Sequence, residues 1–166
     1  MTLAEVMAIY TGSDGDATSA MYMKLHARGT LGFIAANLFR AVKSSERAKI
    51  YRARGYKTSA YERKQWSLAN LARALQDHAE EFDITWGWSH DDRQAKHNRV
   101  LYVDLPEGQV SFHTDHREVG PNYAGEWDGK RGMGAQRVCA LAVRVLALPP
   151  VILIHQGNTE PTDAAV

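Results

Sequence analysis

Residues 99–114 constrain this chain more than any other stretch. Residues 99–105 alternate, with Leu101, Val103 and Leu105 on one side and Val100, Tyr102 and Asp104 on the other. Pro106, Glu107 and Gly108 are turn-forming, and 109–114 alternates again, with Val110 and Phe112 against Ser111 and His113. Two alternating runs around a Pro/Gly turn predict an antiparallel hairpin. A half-buried hairpin turns one set of side chains into the core and the other outward. Leu101, Val103, Val110 and Phe112 are therefore expected inside, and Tyr102, Asp104, Ser111 and His113 on the open face. The segment that follows, residues 120–129, is rich in glycine and carries Asn122, Tyr123 and Trp127. Flat aromatic rings in a glycine-rich loop offer rigid contact area outside a regular core element. The loop is expected to lie over the open face and form a pocket with it; the plainer alternative is that Trp127 plugs the edge of the core.

The elements around the hairpin point to an α+β domain. Thr2 and Glu5 have capping-box spacing, so a first helix is expected to about Tyr10. A second, capped by Asp16 or Thr18, should end near Gly29. A third, from Thr30, carries an apolar stripe of Leu31, Ile34, Leu38 and Val42 and stops at Gly55. Ser59 and Glu62 open a fourth, in which Trp66, Leu68, Leu71, Leu75 and Phe82 should form the main helical wall of the core. Residues 84–89 alternate as a first strand ahead of the hairpin. An apolar helix over 135–148, with Gln136, Arg137 and Arg144 as polar positions, ends at Pro149 and Pro150. Residues 151–154 could add a fourth strand. Helices, then an antiparallel meander of three or four strands, then a closing helix favour α+β over alternating βαβ units. Residues 1–156 are expected to form one domain and 157–166 a loose tail.

Composition narrows the function class. Hydrophobic residues make up 45% of the 166 and charged residues 23%, ordinary for a globular chain. No run of 18 apolar residues is present and the N-terminus lacks a signal-peptide pattern, so a cytoplasmic protein with no membrane partner is expected. The single cysteine, Cys139, excludes an internal disulfide framework and is expected to be a small buried thiol. Net charge is +1 but uneven: residues 43–64 hold eight cations against two acids, a local +6 that leaves −5 elsewhere. One concentrated basic segment in a neutral chain suggests a local anion site rather than general nucleic-acid affinity.

That anion site is placed on one face of the third helix. Arg40, Ser44, Arg47, Tyr51 and Arg54 recur at helical spacing, and arginine forks pair phosphate oxygens two at a time. Tyr51 adds a stacking face; the plainer alternative is a solvated basic helix face. His113 and Asp115 would share a strand face and could touch one ion, but no further cluster with ligand spacing accompanies them, so no metal and no cofactor is expected. Glu126 and Asp128 are more simply turn residues than a hydrolytic pair. No Walker loop, dinucleotide fingerprint or nucleophile elbow is present.

Several pieces resemble small uncharacterised phage and prophage proteins: Leu38-Phe39-Arg40-Ala41 with Ser44-Ser45, Trp86-Gly87-Trp88, the run from Leu105 through Gly108-Gln109-Val110-Ser111-Phe112 to His113, and Trp127-Asp128. In its order of helices and antiparallel sheet the chain is also similar to phage anti-Thoeris proteins. That resemblance implies sequestration of a cyclic-oligonucleotide or cyclic ADP-ribose-type immune signal, assembly as an oligomer and, for a phage protein, the host cytoplasm. It covers about half the chain on short motifs, and no binding residue is carried over from it.

The first expectation is thus a non-catalytic nucleotide-signal sponge. Arg40, Arg47, Tyr51 and Arg54 would hold phosphates, Tyr123 or Trp127 would stack a base, and Ser111, His113 and Asn122 would read polar edges. The second is a phosphodiesterase or other nucleotide-processing enzyme, with His113 as acid or base and Asp115 or Glu126 assisting. A nucleic-acid-binding protein is the third, against which overall neutrality argues. A homo-oligomer, at least a dimer, is expected because the apolar helix over 135–148 and residues 151–154 carry more hydrophobic surface than a small sheet needs.

Overall fold

The computed structural model describes residues 1–12, 15–53, 59–90, 99–113 and 133–149. Its elements are α1 (Leu3–Thr11), α2 (Gly15–His26), α3 (Gly29–Ala53), α4 (Ser59–His78), a 3₁₀ turn (Ala79–Phe82), β1 (Thr85–His90), β2 (Arg99–Leu105), β3 (Gly108–His113) and α5 (Met133–Leu146). The three strands form one antiparallel sheet in the order β1-β2-β3. The expected α+β order of helices, meander and closing helix is what the chain adopts. The expected tail, and residues 151–154 as a fourth strand, lie outside the described residues.

Local chemistry accounts for the element boundaries. The Thr2 hydroxyl accepts from the Glu5 amide at 3.1 Å and the Glu5 carboxylate accepts from the Thr2 amide at 2.8 Å, the reciprocal cap anticipated for α1. Gly29 has φ 82°, a left-handed conformation that lets the chain turn directly from α2 into α3. The 3₁₀ turn was not anticipated; it ends at Asp83, left-handed at φ 57°, and moves Phe82 off the α4 helix although its ring still packs on the core.

α3 is the axis of the core. Ile34, Ala35, Ala36, Leu38, Phe39, Ala41 and Val42 are all buried, because α2, α4 and α5 pack around this helix. α5 in turn packs against α1, α3 and β3, and buries Ala135, Val138, Cys139, Leu141, Ala142 and Val145. Its apolar surface is therefore used inside the chain, which removes one of the two grounds for expecting self-association.

α4 corrects one assignment. Leu68, Leu71 and Leu75 are buried as expected, but Trp66 is 65% exposed. At 100° per residue Trp66 points about 180° away from Leu75, so the wall of the core never included it.

Two arginines fasten α5 to the hairpin. Arg144 donates from Nε to Glu107 Oε2 at 2.5 Å and from Nη2 to Oε1 at 3.0 Å, closing a fork on the turn. Seven residues earlier, on the same helix face, Arg137 donates to the Gln109 carbonyl at 2.5 Å. The Arg137 side chain crosses Gly108 so closely that a Cβ there would lie 2.6 Å from Nε, and Gly108 also needs its φ of 128°. Arg144→Ala should cost about 1–2 kcal/mol by leaving the Glu107 carboxylate, only 12% exposed, without its fork. Urea midpoints check this, and Arg144→Lys should recover only part of the loss because an ammonium cannot pair both oxygens.

Candidate functional site

The outer face of the sheet is built by cross-strand register. Thr85, Asp104 and Gln109 form one row, Gly87, Tyr102 and Ser111 the next, and Ser89, Val100 and His113 the third. Leu101, Val103, Leu105, Val110 and Phe112 occupy the inner face and are buried, as the alternation predicted. Asp104 joins all three strands: its carboxylate accepts from the Gln109 amide at 2.8 Å and from the Thr85 hydroxyl at 3.3 Å. This polar row is exposed, the Tyr102 row is half-buried, and Val100 in the third row is only 6% exposed. The face thus runs from the exposed polar row at Asp104, past the half-buried Tyr102, to the buried Val100. On β1 the register partner of Tyr102 is Gly87, and no atom lies within 4 Å of where a Gly87 Cβ would stand. A flat ring with open space on one side and the Ser111 hydroxyl on the other can take a planar ligand group by stacking.

Tyr102, Asp104, Gln109 and Gly87 were not named among the expected ligand-binding residues. Alternation alone places Tyr102 and Asp104 beside Ser111, so the signal was present. Gly87 needed the β1–β2 register, which sequence spacing does not supply.

The α3 stripe is partly committed to structural contacts. The Arg40 guanidinium sits 3.6 Å from the centroid of the Tyr22 ring. Ser44 is buried and Arg47 half-buried. One step around the helix, the Tyr10 hydroxyl donates to Glu46 at 2.6 Å, while the Lys43 ammonium donates to the Tyr10 carbonyl and lies 4.9 Å from its ring centroid. Burial first, then neighbouring Arg47, hold the Lys43 ammonium below its ordinary pKa. Cys139 completes this knot from α5: it is fully buried, and burial followed by the Glu46 charge pushes its thiol up to about 12. The thiol is a core group, not an activated nucleophile.

α5 packs on both β3 and α3, and Ser111 faces away from the side of β3 that carries buried Val110 and Phe112. His113 has a backbone position on the outer face opposite Val100, and Tyr51 lies in the last turn of α3; their side chains are outside the description. Arg54, Asp115, Asn122, Tyr123, Glu126 and Trp127, and with them the loop expected to cover the sheet, also lie outside the described residues. Among those described, no three His, Cys, Asp or Glu side chains are grouped so as to hold a metal ion, and no helix is long and apolar enough to cross a membrane.

No family model, curated protein or solved structure matches this chain.

Proposed function

We propose that this chain is a binding protein of the phage sponge kind, which takes up a small cyclic nucleotide or ADP-ribose-derived immune signal and does not turn it over. The observation that carries the proposal is the half-buried Tyr102 ring, flanked by the Ser111 hydroxyl and by the open space over Gly87. A nucleobase stacked there has hydrogen-bonding groups in the neighbouring row, Asp104, Gln109 and Thr85, which are exposed. The resemblance of the hairpin strand and the Trp86-Gly87-Trp88 segment to phage proteins supports the same assignment. Arg40 and Arg47 of α3 supply a candidate place for the ligand's phosphates.

Calorimetric titration with cyclic dinucleotides, cyclic ADP-ribose and ADP-ribose tests this. Tyr102→Ala should weaken binding of the ligand found by roughly 1–3 kcal/mol, the worth of one stacked base. Arg40→Ala and Arg47→Ala should have a comparable effect only if the phosphates reach α3. The ligand should be recovered intact by mass spectrometry after heating. No binding across this panel, or catalytic conversion that disappears in His113→Ala, would overturn the proposal.

A further inference from the structure

α4 presents an unbroken stripe away from the core. Glu62, Trp66, Ala69, Arg73 and Gln76 follow at spacings of four, three, four and three, and all five are exposed. Such spacing keeps side chains on one line along a helix and is the pattern by which two helices pack side by side. Trp66 is the most exposed large hydrophobic residue of the described chain, and nothing in the core accounts for it. Glu62 and Arg73 form no ion pair with any described residue.

We infer that this stripe is a dimer contact, in which α4 pairs with α4 of a second copy in antiparallel sense about a two-fold axis. The charge order selects that occupant. Glu62 lies four residues before Trp66, and Arg73 four residues after Ala69. In the antiparallel pair each Trp66 ring covers Ala69 of the opposite helix, whose small side chain leaves room for it. The same register sets Glu62 of each copy against Arg73 of the other, so both unpaired charges are matched twice. A parallel pair would instead set Glu62 on Glu62 and Arg73 on Arg73. A stripe that is self-complementary in one sense only is what an isologous interface requires. Tryptophan and arginine are also the residues on which interface energy concentrates. One helix pair makes a contact at the small end of stable interfaces, about 1,000 Å², so the association should fall in the micromolar range.

Sedimentation velocity on the full chain across micromolar concentrations tests the pairing, and it needs no ligand. The wild-type protein should move from 18.5 kDa toward twice that mass as concentration rises. Trp66→Ala should weaken association at least tenfold. Glu62→Arg and Arg73→Glu should each weaken it, and the double variant Glu62→Arg/Arg73→Glu should restore it, because the swapped charges match again only in the antiparallel register. Trp66 and Arg73 are exposed, so their variants should melt like the wild type when compared at concentrations where the protein is monomeric, while Glu62→Arg also loses the first-turn acid of α4 and should melt slightly lower. A mass of 18.5 kDa at every concentration overturns the inference. So does a dimer indifferent to Trp66→Ala, or a double variant no better than the singles.

Discussion

Gly32→Ala should lower the stability of this protein by roughly 3 kcal/mol, read as a shifted urea midpoint with an unchanged slope. The position is in the first turn of α3, where α3 crosses the end of α2. A Cβ on Gly32 would stand 1.9 Å from the Leu25 carbonyl oxygen and 2.8 Å from the Arg28 Cβ. Neither atom is the tip of a flexible side chain, so α2 as a whole has to move. That helix carries buried Met21 and Leu25 into the core and holds the Tyr22 ring under Arg40. Alanine gains about 1 kcal/mol over glycine in helix propensity, which reduces the loss without cancelling a backbone collision. Gly87→Ala is the control. Its Cβ meets nothing within 4 Å, so stability should stay within about 0.5 kcal/mol of wild type. The same change narrows the space beside Tyr102 and should weaken any ligand stacked there. A Gly32→Ala variant as stable as wild type would show that α2 and α3 do not approach this closely.

Stability should also fall steeply above pH 9, because two acids are buried in their protonated forms. Burial, then the facing Glu46 carboxylate, push the Tyr10 hydroxyl far above its ordinary 10.0, and the same two causes push the Cys139 thiol from 9.0 to about 12. When a folded-state pKa is raised, the folded chain keeps a proton that the unfolded chain releases. The contribution is complete below the unfolded value and is lost as pH climbs toward the folded one. Cys139 therefore gives up stability between pH 9 and about 12, and Tyr10 from pH 10 upward. Over its three-unit window Cys139 alone accounts for about 4 kcal/mol. Lys43 works in the opposite direction: its folded value is lowered, so its burial penalty is relieved as pH rises toward 10.5. Denaturant midpoints from pH 8 to 11 should show a net decline. Cys139→Ala should flatten the decline from pH 9, and Tyr10→Phe the part above pH 10. A wild-type profile flat across that range would contradict the buried knot of Tyr10, Glu46, Lys43 and Cys139.

Features that rest on local periodicity were legible before any coordinates. Thr2 and Glu5 close a cap across three residues, so their spacing determines the start of α1. The two-residue repeat of the hairpin decided that Leu101, Val103, Val110 and Phe112 face inward and Tyr102, Asp104 and Ser111 outward, because strand geometry admits no other assignment once one face is buried. Leu31, Ile34, Leu38 and Val42 marked the core side of α3 for the same reason at helical period. Trp66 was equally legible by angle; its hydrophobicity, not its position, placed it wrongly in the core.

Contacts between elements distant in the chain were decided by the tertiary structure alone. The apolar character of 135–148 is the same whether the helix lies inside one chain or between two, and only packing on α1, α3 and β3 settles that it is internal. The arginines of α3 read as one free basic stripe until Tyr22, eighteen residues before Arg40, came to lie under its guanidinium. Gly32 is an ordinary helical glycine until Leu25 closes on it. Gly87 gains meaning only through the register that sets it against Tyr102. Sequence spacing carries which residues share a face of one element. It does not carry which face of another element, dozens of residues away, comes to meet it.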